Sequence, residues 1–104
     1  MKNRDTPSKL QEQQAEAALC DAFLALRDTD EARRFLRDLC TPAELQALVD
    51  RWRVVGLLRQ GLTYRQINER TGISVTTIGR VARFLADGND GYLAVAQRID
   101  GEKQ

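Results

Sequence analysis

All seven basic residues between positions 41 and 86 are arginines, and with three acidic residues among them this stretch carries +4 in a chain whose total is +1. The segments before and after it are −1 and −2. Guanidinium groups bind phosphates and guanine edges in a fixed, two-pronged geometry, so a concentration of this kind points to nucleic acid. It coincides with Thr63-Tyr-Arg-Gln-Ile-Asn-Glu-Arg-Thr-Gly-Ile-Ser-Val-Thr-Thr-Ile-Gly-Arg-Val-Ala-Arg-Phe-Leu85, which reads as two short helices joined by a glycine turn. A helix-turn-helix uses this arrangement to set its second helix in the DNA major groove. Ile67, Ile73, Ile78 and Val81 occupy the inward positions, Thr63 with Gln66 forms a capping box, Ser74 caps the second helix, and Gly72 suits a left-handed helix end. The same pattern also fits a plain helical hairpin with a solvated arginine face. Asn68 follows the first helix's inner hydrophobe, where a small residue is usual, and an unpaired buried amide there would cost about 1 to 3 kcal/mol.

Other chemistries find little support. The chain has no His, and Cys20 and Cys40 form no Cys-x-x-Cys pair, so neither a zinc site nor a catalytic imidazole can be assembled. The two cysteines are expected as buried small hydrophobes. Glu44, Asp50 and Glu69 form no spaced acid–base pair, and no enzyme or cofactor is expected. Asp87-Gly-Asn-Asp-Gly91 resembles the start of a calcium loop, but Gly91 stands where an oxygen ligand is needed and Arg98 where the bidentate Glu belongs. It reads as a turn. No segment approaches the roughly 20 apolar residues of a membrane span, and the N-terminus lacks a signal-peptide core, which implies a cytoplasmic protein.

A length of 104 residues suits one domain, expected over residues 8–100 after a disordered arm at 1–7. Ser8 is a plausible cap for a first helix with a stripe of Ala15, Ala18, Leu19, Ala22, Phe23 and Leu26, ending near Asp28. Thr29 or Asp30 caps a second, with Ala32, Phe35, Leu36 and Leu39 on one side and Arg33, Arg34 and Arg37 outward. Thr41-Pro-Ala-Glu44 joins a capping box to Pro at the first helical position and opens a long third helix that Gly61 can end. Its apolar arc of Leu45, Leu48, Val49, Trp52 and Val55, widened by Val54, Leu57 and Leu58, needs more cover than one neighbouring helix supplies. A last short helix is expected from Tyr92 to Ile99.

Thr41-Pro-Ala-Glu-Leu-Gln-Ala-Leu48, Arg51-Trp-Arg53, the Gly61 helix end and the 63–85 unit together resemble the Trp repressor superfamily, most closely its YerC/YecD branch. The resemblance implies an all-α, six-helix subunit interlaced with a second copy, with the helix-turn-helix units projecting as two reading heads on double-stranded DNA. It matches Arg65 to a base-reading Arg, and Val75, Thr76 and Gly79 to groove-facing positions. Thr77 falls near phosphate. Asn68 stands where the family has a basic residue, and Arg80 and Arg83 are available to make up the phosphate contact.

In tryptophan-responsive members the ligand-contacting Thr and two Arg match Thr41, Arg51 and Arg80. The family's Gly and Ser in the reading helix, which make room for the amino acid, match Val81 and Phe84. These two side chains are expected to fill the ligand volume, leaving the three polar residues without a ligand role. The resulting expectation is a homodimeric, sequence-specific DNA-binding regulator that does not need L-tryptophan. A protein-interaction module that keeps the fold, or a regulator sensing a different small ligand, are the alternatives.

Overall fold

The computed structural model describes residues 8–103, so the expected arm at 1–7 lies outside the described residues. Among these residues the helices run in the order α1 (Lys9–Leu24), α2 (Thr29–Leu39), α3 (Pro42–Arg59), α4 (Tyr64–Thr71), α5 (Val75–Asp87) and α6 (Gly91–Lys103). The described residues form no strand, and the fold class is all-α as the sequence indicates. The helices divide between two compact units, one ending at Thr41 and the other beginning at Pro42.

In the first unit, Ser8 and Gln11 form a reciprocal capping box that starts α1. The helix stops at Leu24, several residues short of Asp28, because Asp28 is committed to the next helix. Its carboxylate accepts from the Glu31 amide at 2.8 Å and makes Asp28, rather than Thr29 or Asp30, the cap of α2. Glu31 in turn accepts from the Arg27 amide and guanidinium, which holds the intervening turn. Phe23 and Phe35 meet edge to face at 5.4 Å between ring centroids. That contact does not make a core, since neither α1 nor α2 buries a residue and Leu24 is 83% exposed. Cys20 is exposed and Cys40 half-buried, both free, so the expected burial of the cysteines does not hold. Cys20 lies on a helix that has no buried face in which to hide it.

The second unit has a core. Val54 and Val55 of α3, Ile67 of α4, Ile73 of the turn, and Ile78 and Val81 of α5 pack together, with Leu57, Leu58, Leu62, Leu85 and Tyr92 around them. Burying each of these larger aliphatic side chains contributes about 1.5 to 3 kcal/mol. Gly61 ends α3 at a left-handed φ of 90°. The wide apolar arc of α3 is only partly covered. Its C-terminal half enters the core, whereas Leu48, Val49 and Trp52 remain exposed, Val49 by 51%. The last helix starts one residue before Tyr92 and runs past Ile99 to Lys103. Tyr92 sits 6.3 Å from Trp52, and Asp100 accepts from Arg59 at 2.9 Å, a contact between distant residues that ties the extra turn to the end of α3.

Candidate nucleic-acid interface

The interface region is built from α4, the turn and α5. Thr63 accepts from the Gln66 amide at 3.1 Å while the Gln66 side chain accepts from the Thr63 amide at 2.8 Å, so α4 begins at the expected capping box. It ends at Gly72, whose φ of 76° reverses the chain and whose amide donates to the Asn68 carbonyl. Two residues later Ser74 starts α5 by accepting from the Thr77 amide at 3.1 Å. These local bonds determine where each helix begins, and Ile67, Ile73, Ile78 and Val81 hold the pair against α3.

Asn68 is half-buried, and its amide nitrogen donates to the Ile73 carbonyl at 2.9 Å, which meets the condition its position imposes. The Thr71 hydroxyl donates to the Ile67 carbonyl at 2.7 Å and accepts from the Ile73 amide at 3.0 Å. Arg65 is exposed and donates through Nε to Glu69. At the start of α5, Val75 and Thr76 face solvent, while Thr77 is half-buried and its hydroxyl accepts from that of Ser74. Gly79 is half-buried with its open side toward the Tyr64 ring: a Cβ there would lie 3.8 Å from Cε2. Arg80 and Arg83 both lie over the ring of Phe84, at 5.8 and 5.7 Å from its centroid, within cation–π range. Tyr64 and Glu69 are neighbours of the expected site to which sequence reasoning gives no part in it. The i,i+4 spacing of Arg65 and Glu69 is the available signal for the second.

A cavity of about 670 Å³ adjoins α5, walled by Leu48, Trp52, Phe84, Tyr92 and Val95 and bearing the guanidinium-carrying residues Arg51 and Arg80. The expectation that Val81 and Phe84 close this volume is therefore corrected. Val81 lies three residues after Ile78 on the inward face of α5 and is spent in the core at 1% exposure, so of the two only Phe84 is among the residues lining the space. Among the described residues no cluster of side chains could hold a metal ion, and no helix is long and apolar enough to cross a membrane.

Among the described residues the chain is helical, and its capped helix-turn-helix carries the exposed residues Arg65, Arg80 and Arg83. The Trp repressor protein family model matches residues 14–100, and the chain belongs to that family, one of regulators rather than enzymes. It is 44% identical over 81 residues to the uncharacterized protein YerC of Bacillus subtilis (strain 168), covering 78% of each chain. Two solved structures share the fold. A TrpR-like protein from Eubacterium eligens ATCC 27750 superposes with a TM-score of 0.79 at 46% identity, over 84% of this chain and 90% of that one. A candidate Trp repressor from Staphylococcus aureus gives 0.80 at 36% identity, over 90% and 96%.

Proposed function

We propose that the protein is a homodimeric, sequence-specific DNA-binding regulator acting in the cytoplasm. The observation that carries this reading is the capped helix-turn-helix of α4 and α5, with Arg65, Val75 and Thr76 exposed. Arg65 and Thr76 read base edges, Val75 and Gly79 line the groove contact, and Thr77, Arg80 and Arg83 serve phosphates and register. Asn68 belongs to the same interface. A dimer carries two such heads, which enter successive major grooves about 34 Å apart. The uncovered apolar residues on α1 and α2, and separately Leu48, Val49 and Trp52 on α3, supply surface for a second copy, so that residues 8–100 fold as one interlaced domain.

Electrophoretic shift of a random duplex over a range of salt tests the reading. Contacts to phosphates release counterions, so affinity must fall steeply as salt rises. Absence of any shift at low salt would leave the chain as a protein-interaction module that kept the fold.

DNA binding is independent of L-tryptophan in this reading, because Phe84 replaces a ligand-bonding Ser with a bulky apolar ring. The cavity beside it favours a second reading, a regulator that senses a different ligand. Two arginine residues within aromatic and aliphatic walls suit an amphipathic anion. Calorimetry separates the two: a saturable heat with such an anion and none with tryptophan would support the sensor.

A further inference from the structure

Ile73, the residue between the two helices of the reading head, is held at three points. Its side chain is in the core at 8% exposure, its amide donates to the Thr71 hydroxyl at 3.0 Å, and its carbonyl accepts from the Asn68 amide nitrogen at 2.9 Å. Both side-chain partners come from the last turn of α4. Thr71 is itself anchored, since the same hydroxyl donates to the Ile67 carbonyl at 2.7 Å. A hydroxyl has one proton to give and lone pairs to accept with, and here it bonds both ways. The next residue, Ser74, is the cap of α5.

The geometry points to Asn68 and Thr71 as a latch that sets the start of α5 against the end of α4 and so fixes the angle at which Arg65 and Thr76 are presented together. Gly72 reverses the chain but, with a φ accessible in several directions, does not by itself choose one angle. The latch supplies that choice through bonds made entirely within the chain, and the bonds are half-buried, where a lost partner is not replaced freely by water. Asn68 thus serves the interface as a positioning residue acting through Ile73. A reading head shaped in this way needs no ligand to order its turn, because a state already populated gains little from a ligand that selects it. This inference rests on the DNA-binding reading for its consequence, and on the three bonds for its geometry.

The test uses the full-length protein with Thr71→Val, which keeps the shape and removes both hydroxyl bonds, Thr71→Ser, which keeps them, and Asn68→Asp, which removes the donor. Amide exchange is followed by NMR, and affinity is measured for a duplex selected from random DNA and for a random duplex, at a temperature where each variant is folded. Thr71→Val and Asn68→Asp are expected to speed exchange of the Ile73 amide about tenfold. Thr71→Val should weaken the selected duplex about tenfold and the random duplex less than about twofold, since phosphate contacts tolerate a shifted angle better than base contacts do, whereas Asn68→Asp also adds a negative charge at the interface and is read by amide exchange alone. Thr71→Ser should restore both readouts. If Asn68→Asp does not fold, the two Thr71 variants decide. A folded Thr71→Val protein with the parent's exchange rate and the parent's preference for the selected duplex would overturn the latch, as would a Thr71→Val protein weakened equally on both duplexes. If the parent binds no duplex at all, the DNA-binding reading fails, and the exchange rate of Ile73 in Thr71→Val against Thr71→Ser still decides whether the latch exists.

Discussion

Arg65 donates from Nε to Oε2 of Glu69 at 3.2 Å, one helical turn along α4. The bond occupies the inner nitrogen of the guanidinium and leaves both terminal nitrogens, the pair that reads the O6 and N7 edge of guanine. With the two side chains 87% and 61% exposed, the pair is well solvated and adds little to folding. Glu69→Ala should therefore leave the unfolding midpoint nearly unchanged. Removing a negative charge from the interface should tighten binding to random duplex, while Arg65, no longer held, discriminates less well at its base position. Parallel binding titrations on selected and random duplexes check this, and a change in stability without a change in discrimination would contradict it.

Arg65→Ala should cost about 1 to 3 kcal/mol on the preferred site and relax specificity at one base position. Arg83→Ala should act differently, weakening all sequences alike and lowering the salt slope by about one. Footprinting combined with salt titration distinguishes the two. Binding of every sequence by Arg65→Ala as by the parent would remove Arg65 from the base-reading set.

Two glycines should respond in opposite directions to alanine. At Gly88 a Cβ would sit 2.4 Å from the Phe84 carbonyl oxygen and 3.0 Å from the Phe84 Cα, backbone atoms that cannot step aside. Gly88→Ala should destabilise the fold by roughly 1 to 3 kcal/mol, the usual cost of overpacking. At Gly79, inside α5, the added methyl would make an ordinary 3.8 Å contact with Tyr64. Gly79→Ala should stabilise the helix by about 0.5 to 1 kcal/mol, because glycine loses more freedom than alanine on entering a helix. Urea denaturation measures both. Weaker DNA binding by a more stable Gly79→Ala protein would show that the missing side chain serves a close approach to the groove.

The distribution of apolar surface gives a prediction on association. With no buried residue in α1 or α2 and Leu48, Val49 and Trp52 of the apolar arc of α3 exposed, the chain should sediment at about twice its mass even at low micromolar concentration. A well-folded monomer there would contradict the interlaced architecture.

What was legible in the sequence is what is decided within four or five residues. Pro42 at the head of α3, the boxes at Ser8 and Thr63, the Ser74 cap and the left-handed Gly61 and Gly72 all depend on short-range geometry and stand where their residue types indicate. Sequence and structure part where two signals compete or where direction in space matters. Asp28 looked like the end of α1 and was the start of α2, since one carboxylate cannot both prolong a helix and cap the next. The extra length of α6 comes with a bond that Arg59 donates to Asp100, a contact no local pattern announces. Val81 matches a ligand-facing position of the family, yet its side chain packs in the core, and the cavity stays open beside Phe84. Among the interface residues, Arg65 and Thr76 follow from the family resemblance and lie exposed, but the bond from Asn68 to Ile73 needed coordinates.

The decisive experiment for a tryptophan-independent, dimeric DNA reader is selection of bound sequences from a random duplex pool by the purified protein without tryptophan. The expected outcome is enrichment of a site with twofold symmetry, its half-sites about 10 base pairs or a multiple of that apart, and the same affinity for it when tryptophan is added. A pool that remains random after repeated rounds, or one that enriches only when tryptophan is present, would contradict it.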